Sequence, residues 1–146
     1  MKRAVFLFLT LLVLVQFIPV PRENPEELAP LQADSKLISI LERSCYDCHS
    51  HRTKWPVYSY VFPFSYFVSN HVREGREELN FSEWEKLSAD KKVKKADSIL
   101  EAIEEGEMPL GSYTWIHRNA LITEADIEIL KDWISKLEEE SEKESL

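Results

Sequence analysis

Only two cysteines occur in the chain, three positions apart, and a histidine directly follows the second: Cys45-Tyr46-Asp47-Cys48-His49. A single pair excludes the multi-disulfide framework of small secreted domains. The C-x-x-C-H spacing is that of c-type haem attachment. Two thiols so placed reach the two vinyl groups of one porphyrin, and the adjoining imidazole comes under the iron. The motif therefore predicts one covalent haem c, with thioethers at Cys45 and Cys48 and His49 as the proximal iron ligand. Two other chemistries use the same residue types. A redox dithiol wants a βαβ setting, and a zinc site needs a fourth ligand from His51, His71 or His117.

Met1-Lys2-Arg3 precedes eighteen residues without a charge, Ala4 to Pro21, which reads as a targeting segment with its N-terminus inside. The run is longer than a usual signal-peptide core, sits at the lower limit for a spanning helix and lacks an Ala-x-Ala exit. Residues 1–21 are accordingly a signal peptide or an N-terminal membrane anchor. Either way the domain is expected in the bacterial periplasm or on the outer side of the inner membrane, held there in the anchored case by residues 4–21. Residues 22–34, rich in proline and acid, read as a linker, 35–138 as the haem c-binding domain, and 139–146 as an acidic tail fraying into solvent from Glu138.

The domain itself reads as all-α. Asp34 or Ser35 caps a helix whose Leu37, Ile38, Leu41 and Cys45 recur at helical spacing, so the motif falls at a helix end. Pro63 suits a first helical turn, with Phe64, Phe67, Val68 and His71 on one face until Gly75 loosens it. Ser82 and Glu85 have capping-box spacing. Val93, Ala96, Ile99, Leu100 and Ile103 form a further apolar face that stops at Gly106, leaving Met108 on an irregular loop, Glu107 to Gly111. Thr123 and Asp126 then open a last helix with Ile127, Leu130, Trp133, Ile134 and Leu137 inward. No stretch alternates with the period of a strand.

The occupant of the sixth iron position decides between electron transfer and ligand chemistry. Met108 is the first candidate, being the one methionine besides Met1 and standing before Pro109, which stiffens the loop. His71 is the alternative distal ligand, His117 a weaker one, and an open site is the remaining case. The aromatic run from Trp55 to Phe67 is the expected pocket wall. Trp55, Tyr58, Arg52, Arg73 and Arg76 are candidate donors to the haem propionates.

Net charge is -8, which argues against nucleic acid. Local clusters of Arg and Lys suit solvated helix faces or an acidic redox partner protein. The stretches CYDCHSHRTKWPVYSY, SNHVREGREELNFSEW and EMPLGSYTWIHRNALITEADIEILKDWI together resemble the bacterial haem-binding domain family of c-type cytochrome-like domains. The resemblance implies a small cytochrome c-like helical domain around one haem behind an N-terminal hydrophobic helix, with the haem motif at Cys45, Cys48 and His49. The Met-Pro loop before a closing helix looks like the distal region of class I cytochromes c, which implies Met108. The sequence departs from the family pattern at Arg118, where proline is expected after the histidine. The leading function is an electron carrier rather than an enzyme, meeting an unidentified redox partner and the membrane. The alternatives are a peroxidase-like haem enzyme with an exchangeable sixth ligand, and a haem-based redox sensor or interaction module.

Overall fold

A computed structural model describes residues 1–145, and every regular element among them is helical. The first, α1 (Lys2–Leu14), buries none of its residues and passes through a 3-10 turn, Val15–Phe17, into extended chain. Pro19 and Pro21 account for the stop, because each lacks an amide donor and biases the residue before it away from helix. The uncharged run from Ala4 to Pro21 is thus not one helix. Thirteen residues rise about 20 Å against a hydrocarbon core of about 30 Å, and no helix among the described residues is long and apolar enough to cross a membrane.

Asp34 caps α2 (Ser35–Ser44), its Oδ1 accepting the amides of Lys36 at 2.9 Å and Leu37 at 3.1 Å. Leu37, Ile40 and Leu41 face inward. The chain then makes one further helical turn, α3 (Tyr46–His49), in which the Cys45 carbonyl accepts the amides of Cys48 and His49. After a 3-10 turn at Val57–Tyr60 comes α4 (Phe64–Glu78), which runs straight through Gly75. That glycine does not loosen the helix; its role is at the site described below.

A 3-10 helix, Phe81–Lys86, is capped by Asn80, whose side chain accepts the Ser82 amide at 3.0 Å. The cap expected at Ser82 is absent because that hydroxyl is engaged elsewhere, donating to Glu27 at 2.7 Å and accepting the His51 amide at 2.8 Å. The two long helices, α5 (Ala89–Glu104) and α7 (Glu124–Glu144), lie along each other. Gly106 follows α5 at φ 74°, a left-handed exit that glycine allows without cost. Gly111, expected to belong to the loop, instead begins a short helix, α6 (Gly111–Ile116). The capping box at Thr123 and Asp126 is present, and α7 stays helical through Glu144, so the acidic segment beyond Glu138 does not fray at that point.

The core is an aromatic column. Tyr46 stacks on Phe81 at 5.2 Å, Phe81 on Trp84 at 5.8 Å, and Trp84 meets Trp133 at 5.3 Å. Leu31, Leu37, Leu41, Ala96, Leu130 and Ile134 close around it. The column therefore begins inside the C-x-x-C-H motif and ends in α7.

Residues 22–34 do not hang free of the domain. The Ala29 and Leu31 amides donate to the carbonyls of Ser82 and Phe81, and Leu31 is buried in the core. Arg76 of α4 donates to the carbonyls of Ser50 and Glu23 and to the side chains of Asn24 and Thr53, all at 2.7–2.9 Å. One guanidinium thus ties α4, the chain just after the motif and this strap together.

Arg43 closes α2 onto the start of α7, meeting Asp126 at 2.5 Å while donating to the Leu121 carbonyl at 3.1 Å. Arg43, aided by Thr123, holds the Asp126 carboxyl at about 2, below its ordinary 3.8. A carboxyl lowered on folding stabilises the fold above the unfolded value, and that stability is lost as pH falls through the folded one. Stability should therefore fall on acidification from about pH 4 towards pH 2 by on the order of 1–2 kcal/mol from this residue. Urea melts across that window check it: Asp126→Asn should flatten the slope.

Candidate functional site

The site is built where α4 crosses α3. A Cβ added to Gly75 would stand 2.8 Å from the Cys48 carbonyl oxygen and 3.2 Å from its carbon, so only glycine lets the two backbones approach this closely. The approach brings His49 against α4. Its Nδ1 lies 2.8 Å from the Gly75 carbonyl and 3.2 Å from that of Leu79. Carbonyls only accept, so Nδ1 carries the proton and Nε2 keeps its lone pair. Burial pushes the His49 pKa down, partly opposed by the two carbonyls, which favours the neutral ring. A neutral imidazole whose second nitrogen is fixed by a backbone acceptor is the form in which histidine binds a metal.

Cys45 and Cys48 are free thiols. Burial raises Cys45 to about 12 and, with Asp47 alongside, Cys48 to about 11. This is opposite to the lowered thiol of a redox dithiol. Both cysteines and His49 line one crevice of about 210 Å³, and so do Met108 and His71. Ser44, Asp47, Glu74, Gly75, Glu78, Pro109, Leu110 and Tyr113 complete its lining. Residues 63 positions apart in sequence, Cys45 and Met108, thus face one space.

The two distal candidates reach the crevice differently. His71 stands on α4, the helix that supplies the acceptors behind His49, and its own Nδ1 pairs with the Phe67 carbonyl at 2.7 Å. Met108 arrives on a separate segment between α5 and α6, held where its amide donates to the Ala102 carbonyl at 3.0 Å.

The other predicted residues lie elsewhere. Neither Trp55 nor Tyr58 lines the crevice of the motif. Trp55 borders two neighbouring clefts, of about 560 and 570 Å³, and its Nε1 is buried without a hydrogen-bond partner among the described residues. Tyr58 is paired through its hydroxyl with His117 Nε2 at 2.9 Å. Arg73 is exposed and bound to Glu77, Arg52 to Glu42, and Arg76 is committed to the strap. Phe64, Tyr66 and Phe67 are exposed, while the aromatics of the core are Tyr46, Phe81, Trp84 and Trp133. Sequence reading missed Tyr113, whose hydroxyl donates to Asp47 Oδ2 at 2.7 Å and whose ring stacks on His117 at 4.4 Å. Its one sequence signal was its place five residues after Met108.

Among the described residues no group of three or more His, Cys, Asp and Glu side chains is arranged to hold a bare metal ion. The donor set, an imidazole nitrogen, a thioether sulfur and two thiols on one crevice, would suit a metal carried in an organic macrocycle, with His49 and Met108 to hold the metal and Cys45 and Cys48 to hold the macrocycle. The unpartnered Trp55 donor suits a carboxylate. Fold and donors together define a small all-α domain of the haem-binding class. The haem-binding domain family model matches residues 10–136, and the chain belongs to that family. No curated protein and no solved structure gives a significant match.

Proposed function

We propose that the chain is a mono-haem c-type electron carrier, in which Cys45 and Cys48 would attach the haem and His49 and Met108 would hold its iron. One observation carries the reading: the motif cysteines, a neutral His49 with Nε2 free, and the Met108 thioether all line a single crevice. Bound there, haem supplies a one-electron couple that needs no substrate to enter. The chain's part is to keep the couple in place. The Gly75 and Leu79 carbonyls orient His49 and raise its basicity. The Ala102 carbonyl fixes the loop that presents Met108. Trp55 Nε1, buried without a partner but outside this crevice, would be a donor to a propionate only where that group extends beyond the crevice. Met108 is preferred over His71 because α4 already holds the Nδ1 side of His49, and a ligand opposite Nε2 has to come from another segment.

With a one-electron couple, the site fits a carrier meeting a partner protein on the outer face of the bacterial inner membrane. The basic start and apolar run of α1 support an anchor or export signal. His71, with Nε2 free on the same crevice, supports the second reading, a site whose sixth position exchanges and serves peroxide chemistry.

The protein matured with covalent haem decides between them. A haem stain that survives denaturation and an oxidised band near 695 nm, the mark of sulfur on ferric haem, are expected. Met108→Ala should abolish the band, admit external ligands and lower the potential, since axial methionine raises it. A stain that survives without the band, with spectra unchanged in Met108→Ala, would sink the Met108 assignment in favour of His71 or an open site. No covalent haem at all would sink the c-type reading.

A further inference from the structure

The loop that carries Met108 is tied at its start by the Ala102 carbonyl, which accepts the amides of Glu107 and Met108. At its end the Leu110 carbonyl accepts the amides of Tyr113 and Thr114, so loop and α6 move as one piece. What holds α6 in place is sparse. It packs on the 3-10 turn Arg118–Ala120 and has no extensive contact with another helix. Two of its residues, Trp115 and Ile116, are exposed. Against that background stands one short bond to the haem motif itself, from Tyr113 Oη to Asp47 Oδ2 at 2.7 Å.

Asp47 lies between the two motif cysteines, and its other oxygen accepts the Lys54 amide at 2.9 Å. The carboxylate is therefore held from behind. Tyr113 is held too, since its ring stacks on His117, which is fixed in turn by Tyr58. The bond thus joins two pre-oriented groups across the mouth of the crevice.

We infer that Tyr113 is a positioning residue: its hydrogen bond to Asp47 is the clasp that keeps the Met108 loop closed on the haem and sets how often the sixth position opens. The inference rests on the reading of Met108 as distal ligand. Opening requires the loop and α6 to lift together, and lifting α6 breaks the clasp. Removing it favours the open state by the worth of a hydrogen bond to a charged acceptor, roughly ten- to hundredfold. An external ligand that binds only the open state tightens by the same factor.

The test titrates imidazole into the oxidised, haem-loaded full chain while following the band near 695 nm. Tyr113→Phe should retain covalent haem and bind imidazole roughly ten- to hundredfold more tightly than the parent. Asp47→Ala should do the same from the other side and serves alone if Tyr113→Phe does not mature. The double variant should be no weaker-closed than the stronger single, as expected for two partners in one bond. Tyr60→Phe deletes a hydroxyl from an exposed tyrosine remote from the clasp and should stay within about threefold. Tyr113→Phe or Asp47→Ala within about threefold of a parent that shows the band would overturn the clasp while leaving the Met108 reading standing. A parent without the band overturns both.

Discussion

Gly75→Ala should lose haem occupancy and melt at lower temperature, although alanine is the better helix former at an interior position of α4. The propensity gain is about 1 kcal/mol. Against it stands a methyl group 2.8 Å from a carbonyl oxygen that cannot swing aside, because Cys48 is held in the turn of α3. Overpacking of this kind costs about 1–3 kcal/mol, and a valine costs more. The functional loss exceeds the stability loss, because prising α4 from α3 also removes the two carbonyls that orient His49. Gly111→Ala is the internal control, since a Cβ there meets nothing within 4 Å. Haem stain per mole of protein and thermal melts of the three chains provide the check. Equal occupancy in Gly75→Ala and parent would show that the crossing tolerates a methyl group.

Trp84→Ala should cost more stability than any other single truncation in the domain. Trp84 is fully buried at the middle of the aromatic column, between Phe81 and Trp133. Truncating a buried tryptophan costs about 3–5 kcal/mol through lost transfer energy and the cavity left behind. That is a large share of the total for one small domain. The column starts at Tyr46 within the motif, so the same change should also loosen the turn that carries Cys48 and His49. Denaturant melts of the two chains measure the first effect. Trp84→Phe, which keeps a ring in the column, should recover more than half of it.

What was legible in the sequence was what local spacing determines. Asp34 as a cap, the face of α5, the Gly106 exit and the Thr123 capping box all follow from residues within one or two turns of each other. The motif too is local, and its cysteines and histidine do line one crevice. What escaped depended on partners far along the chain. Ser82 has the spacing of a cap, but Glu27 and His51 claim its hydroxyl. Gly75 looked like a helix breaker because the Cys48 backbone it accommodates is 27 residues away. The aromatic run from Trp55 to Phe67 was the obvious wall, yet the column that forms uses four rings brought together from three other segments. Beyond its nearness to Met108, Tyr113 gave no signal of its bond to the motif, since its partner Asp47 is read as a mere spacer within C-x-x-C-H.

The docking of residues 22–34 bears on how such a domain would meet its partners. Thirteen free residues would give a leash with a root-mean-square span of about 20 Å, enough for the domain to tumble and sweep the surface around its attachment. Bound as they are, the stretch without a hydrogen bond to the domain shrinks to Ile18–Val20, about 10 Å at full extension, between the turn ending at Phe17 and Pro21, whose carbonyl accepts the Ser69 hydroxyl, with Arg22 next donating to the Ser59 carbonyl. Gln16 on that turn already accepts the Phe62 amide. On a membrane, a domain fastened so closely behaves as a bracket with a set azimuth. The crevice would then face one direction, and a partner of the proposed carrier would have to diffuse into that sector.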